Sequence, residues 1–120
     1  MHNITQWGIV VIVVGETSQF IKKAEKLLSK AEKDNLIEFI AQNPEAGDIV
    51  PNTGGVRKLR YARKGQGKSG SYRVIYYFYN DKNPVYLLTL FGKNEKANLS
   101  DAEKNAISKA IQVLKKGMKP

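Results

Sequence analysis

Apolar positions along the chain change their spacing from one segment to the next, and each spacing predicts an element. Ile9 to Val14 is an unbroken β-branched run, which predicts a strand buried on both faces and ended by Gly15. Phe20, Ile21, Ala24, Leu27, Leu28 and Ala31 follow at helical spacing, with Thr17 or Ser18 as the cap. Leu36, Ile37, Phe39 and Ile40 form a second stripe that stops at Asn43-Pro44. Ser29 with Glu32 three residues on reads as a capping box. A helical hairpin is therefore expected, with one long helix as the alternative. Both stripes read as core rather than as a ligand site.

Residues 43–55 are rich in Pro, Gly and Asn and read as a connector. From Val56 to Tyr61 the pattern alternates, with Leu59 and Tyr61 facing in and Lys58 and Arg60 facing out. Arg63 to Ser71 carries three glycines and reads as the turn of a hairpin. Tyr72 to Tyr79 and Val85 to Phe91 are strong strand sequences separated by a turn at Asn80 to Pro84. Ser100 with Glu103 is a second capping box, opening a C-terminal helix that Gly117 closes. The order β, α, α, β, β, β, α predicts an α+β domain with a mostly antiparallel sheet packed on helices. A length of 120 residues fits one domain with a core of its own.

Charge alters this picture in one place. Arg57 to Arg73 holds seven basic side chains in 17 residues and no acidic one, in a chain of net charge +9. A single-sign field of that density suits a polyanion partner, whereas a solvated face would mix signs; a basic solubility loop is the bland alternative. There is no cysteine, which fits a reducing cytosol and excludes disulfides, thiolate zinc and a cysteine nucleophile. The longest apolar run is six residues, against about 20 for a membrane span. No Lys or Arg precedes it, against the pattern of a secretory signal, so the sequons at Asn3 and Asn98 read as chance.

Several motifs tempt and fail. Residues 65–70 match GxGxxG, but a strand follows where a dinucleotide site needs a helix N-terminus. Gly67-Lys68-Ser69 resembles the end of a P-loop whose first glycine is replaced by Ala62. His2 is the one histidine, and the close carboxylates Glu45 and Asp48 sit on a loop with no histidine partner. A divalent-metal nuclease site is thus weakly supported, and no cofactor or metal is expected.

The basic stretch suits RNA better. Lys58 and Arg60 share one strand face, Arg73 lies across the hairpin, and Lys93 follows the last strand. Fixed cations can stabilise the charge that gathers on a phosphate when a neighbouring 2′-hydroxyl attacks it. Lys58 and Lys93 are the candidates for moving protons, and arginines only clamp. Arg57, Arg63, Lys64, Lys68 and Lys96 are further candidates for RNA contact, with Tyr77 as a base-stacking ring. The bland reading of Tyr77 and Arg73 is sheet packing, although a charge at Arg73 must be paired or face a ligand.

Four segments go beyond composition: residues 43–60 (NPEAGDIVPNTGGVRKLR), 65–70 (GQGKSG), 72–78 (YRVIYYF) and 87–96 (LLTLFGKNEK). In this order they resemble the RelE/HigB toxins of bacterial type II toxin–antitoxin systems, over about residues 17–117. The resemblance implies a RelE-like microbial RNase fold. It implies a toxin that enters the ribosomal A site, cleaves mRNA and is neutralised by a cognate antitoxin, without membrane attachment. It also maps the family's catalytic positions onto Lys58, Arg60, Arg73 and Lys93. Family members often carry a tyrosine near the C-terminal element; this chain has none after Tyr86, which points to a lysine-dominated site. Two other readings stand beside this one: a ParE-like toxin that binds gyrase without catalysis, and a non-toxic RNA-binding domain.

Overall fold

The computed structural model of the chain describes residues 3–4, 11–62, 71–92, 95–96 and 98–120. Strands β1 (Asn3–Ile4) and β2 (Val11–Ile12) form a small antiparallel ribbon. β3 (Val14–Glu16), the helices α1 (Ser18–Leu27) and α2 (Lys30–Gln42), β4 (Asp48–Ile49), β5 (Val56–Tyr61), β6 (Tyr72–Tyr77), β7 (Val85–Gly92) and α3 (Asp101–Lys116) follow. The five strands β3 to β7 make one mixed sheet in the order β3-β7-β6-β5-β4, with β3 parallel to β7 and the other pairs antiparallel.

Local chemistry accounts for the helices. Thr17 caps α1, its hydroxyl accepting from Phe20 N and donating to the Leu87 carbonyl at 2.9 Å, so the cap also ties the helix to β7. Ser29 and Glu32 form the expected box at α2, and Ser100 and Glu103 form the one at α3. The break between α1 and α2 at Leu28 and Ser29 settles the hairpin in favour of two helices. Gly117 caps α3.

The N-terminal region departs from expectation in three ways. The apolar run divides at Val13, which is 46% exposed, so its described part is two short strands rather than one doubly buried strand. Gly15 continues β3 instead of ending it, pairing with Tyr86 of β7, and its missing Cβ, which would lie 3.1 Å from the Tyr86 ring, lets that ring lie close. The connector at residues 43–55 also contains the edge strand β4.

The core has two halves, one on each face of the sheet. Phe20, Ala24, Leu28, Leu36, Ile37 and Ile40 of the hairpin pack on Leu59, Tyr72, Val74, Tyr76, Val85, Leu87 and Leu90. On the other face α3 brings Ile111, with Ile107 and Leu114, against Val56, Ile75, Tyr77 and Phe91. Every residue of β6 is consequently buried, Tyr72, Val74 and Tyr76 in one half and Ile75 and Tyr77 in the other, with Arg73 as the buried charge. A bulge in β7 at Leu88 shifts the register between Ile75 and Tyr76 and turns Leu88 towards α3.

Candidate nucleic-acid interface

Strand alternation sorts the basic residues of β5. Leu59 and Tyr61 join the core under α1 and α2, and Val56 joins the core under α3. Lys58 and Arg60, in step with Val56, therefore lie on the α3 side. The β5–β6 register sets Arg60 directly opposite Arg73 and Lys58 opposite Ile75. The β6–β7 register sets Arg73 opposite Phe91, and Lys96 Nζ stands 5.1 Å from the centre of the Phe91 ring. Lys58, Arg60, Arg73 and Lys96 thus gather on or over one sheet face.

Three of these cations, Arg73, Lys58 and Lys96, are held in position by defined partners. Arg73 is only 7% exposed, and its Nη1 donates to Ser71 Oγ at 3.1 Å. Lys58 Nζ donates to Asn98 Oδ1 at 2.9 Å, just ahead of α3. Lys96 pairs with Glu103, the same residue that closes the α3 capping box. That bond from Lys96 is the main cause holding the Glu103 carboxyl below its ordinary value of 4.5. All 11 carboxylate side chains of the sequence are among the described residues. The ion pairs there join Lys23 to Glu95, Lys30 to Asp34, Lys33 to Glu16 and Lys96 to Glu103. None involves Lys58, Arg60 or Arg73, so among the described residues none of these three is closed into an ion pair.

Two expected contributors stand elsewhere. Arg57 points to the opposite face, where its Nη1 donates to the carbonyls of Gly47 at 2.8 Å and Glu45 at 3.2 Å. It anchors the connector rather than joining the cationic face. Tyr77 is 2% exposed beneath α3, and burial pushes its phenol above the ordinary 10.0. Its ring is core here, the bland reading, and is closed to a stacking base. Lys93 and the loop residues Arg63, Lys64 and Lys68 lie outside the described residues.

Four contributors escape a reading of the sequence. Ser71 orients Arg73, and its place two residues before Arg73 on the same strand face was the available signal. Asn98, which reads as a chance sequon, positions Lys58. Asp48 of β4 is the cross-strand neighbour of Lys58, and Lys104 of α3 lines a hollow beside them. Nothing local in the sequence announces either placement.

The site rests on a tightly fitted support. Tyr76 is fully buried, and its hydroxyl accepts from Gly47 N and donates to the Pro44 carbonyl, both at 2.8 Å. A Cβ at Gly47 would come within 3.0 Å of that tyrosine, so the connector bearing β4 lies directly on the sheet.

Among the described residues no helix is long and apolar enough to cross a membrane. Residues 14–119 match the family model described as the RelE toxin of the RelE/RelB toxin–antitoxin system. The match spans the sheet, all three helices and the whole cationic face, and the α+β architecture agrees with it. This chain belongs to the RelE toxin family, and is the toxin half of a module whose other half is a cognate antitoxin.

Proposed function

We propose that this toxin is a ribosome-dependent endoribonuclease that cleaves mRNA in the ribosomal A site and so stops translation in the cytoplasm. The observation that carries the reading is Arg73, a nearly buried guanidinium opposite Arg60, with a hydroxyl as its protein partner and no carboxylate. A buried charge in that state is costly unless an anion completes it, and a phosphodiester is such an anion.

In the proposed reaction the 2′-hydroxyl oxygen attacks the adjacent phosphorus as the bond from phosphorus to O5′ breaks. The products are a 2′,3′-cyclic phosphate and a 5′-hydroxyl. A base takes the 2′ proton and an acid supplies one to O5′; Lys58 and Lys93 are assigned these transfers. Arg60 and Arg73 hold the non-bridging oxygens, where charge builds in the transition state. Lys96, Arg63, Lys64 and Lys68 grip flanking phosphates. The antitoxin neutralises the toxin by covering the cationic face or bracing α3 with an acidic or amphipathic segment.

Primer extension on transcripts after brief induction tests this. New 5′ ends should appear inside open reading frames, and they should vanish for Lys58→Met and Arg73→Met proteins shown to be folded. DNA breaks without new transcript ends would favour gyrase as the target and reject the reading.

A further inference from the structure

The turn after β7 is held from both sides of the sheet. Its backbone closes where Glu95 N and Lys96 N donate to the Gly92 carbonyl, at 3.0 and 3.5 Å. The second distance is at the long limit of a hydrogen bond, so backbone bonding alone fixes the turn weakly. Side chains supply the rest. Glu95 accepts from Gly92 N through Oε1 at 3.4 Å and from Lys23 Nζ of α1 through Oε2 at 2.6 Å. The Lys23 bond is the main cause holding the Glu95 carboxyl below 4.5, which keeps both oxygens acceptors at neutral pH. Lys23 has a firm base, because it lies three residues from Phe20 and one from Ala24, both buried in the core. The next residue of the turn, Lys96, reaches the other way, to Glu103 of α3 and over the Phe91 ring. Adjacent residues of one turn are thus tied to opposite layers.

We propose that Lys23 and Glu95 are positioning residues for RNA binding: their ion pair anchors the turn so that Lys96 presents its ammonium to a phosphate beside the cationic face. The inference rests on the reading of Lys96 as a phosphate contact. Glu103 takes one N–H of that ammonium and leaves the others for a phosphate oxygen. A long side chain loses rotamer freedom when it grips a ligand, and an anchored backbone removes the further cost of ordering the turn. Lys23 belongs to the α1 layer, whereas Arg60 and Arg73 lie on the α3 side, so its effect on RNA runs through the turn. Charge separates this role from simple attraction. Removing Lys23 lowers the net charge by one, and removing Glu95 raises it by one. A long-range field alone would make a chain without Glu95 bind RNA more tightly. A broken anchor weakens binding in both.

Fluorescence anisotropy of the full chain with a labelled, fully 2′-O-methylated RNA, which lacks the attacking hydroxyl, tests the anchor. Lys96→Met should weaken binding about tenfold and Lys23→Met and Glu95→Gln about threefold each, while Lys23→Arg should stay within about twofold of the unaltered chain. In the Lys96→Met background Lys23→Met should add nothing, because the anchor acts through Lys96. Urea midpoints should barely move, since a pair whose side chains are 31% and 41% exposed contributes little to stability; lost binding is then not lost fold. Tighter binding by Glu95→Gln, or a Lys23→Met effect that persists in full without Lys96, overturns the anchor. Unchanged binding by Lys96→Met overturns it together with the assignment of Lys96 to a phosphate. The expected binding pattern in a chain that leaves transcripts intact upholds the anchor and defeats the endonuclease reading instead.

Discussion

Replacing Arg73 with methionine should make this protein more stable and less active at once. Arg73 is 7% exposed, faces Arg60 across the β5–β6 pair, and has Ser71 Oγ as its hydrogen-bond acceptor. Like charges set directly opposite on neighbouring strands destabilise the pair, by roughly 0.2–1 kcal/mol. Methionine keeps most of the length, adds apolar surface in a buried position and removes this repulsion together with the desolvation of the guanidinium. The lost hydrogen bond to Ser71 takes back about 1 kcal/mol. A net gain of about 1 kcal/mol follows, or about 3–6 °C in Tm for a domain of this size. Losing one fixed donor to the phosphate should meanwhile lower the cleavage rate about 10²- to 10³-fold. Urea unfolding gives the first quantity and single-turnover cleavage on programmed ribosomes the second. Added salt should stabilise the wild-type chain more than the variant, since one repelling partner is gone. A variant that unfolds more easily by over 1 kcal/mol, or that cleaves at the wild-type rate, refutes the reasoning.

Tyr76→Phe should cost about 1–3 kcal/mol, because it leaves the buried Gly47 N–H without its acceptor and the Pro44 carbonyl without its donor. Hydrogen exchange should quicken at Gly47 and along β4 before it does in β6, and uniform quickening would contradict this. The carboxyls of Glu103 and Glu95 are held below 4.5, chiefly by bonds from Lys96 and Lys23 respectively. A carboxyl depressed by folding adds stability above its unfolded value and loses it as pH falls through the folded one. The urea midpoint should therefore fall on acidification below about pH 4.5, and less so in Glu103→Gln. A pH dependence identical in that variant would show the Lys96 pair to be inert.

The capping boxes, the helical hairpin and the face shared by Lys58 and Arg60 were all legible in the sequence, because each is set by residues three or four apart or by strict alternation. Arg57 had the same signal: one step from Lys58 along a strand means the opposite face. Tyr77 was harder, since YRVIYY reads equally well as a half-exposed aromatic strand. Only the docking of α3, whose apolar stripe lies some 30 residues downstream, decides that the α3-facing half of β6 is covered. The pairing of β3 with β7 and of Asp48 with Lys58 had no local mark at all, being set by how distant segments meet. A two-residue edge strand such as β4 is too short for periodicity to register.

The parallel pairing of β3 with β7 also has a temporal consequence. Val14 to Glu16 hydrogen-bond alongside Val85 to Leu87, so the first strand of the main sheet waits for nearly three-quarters of the polypeptide before it finds its place. Long-range closure of this kind is slow and late. A nascent copy emerging during synthesis accordingly completes its main sheet only once β7 has left the exit tunnel, however early its first strand was made.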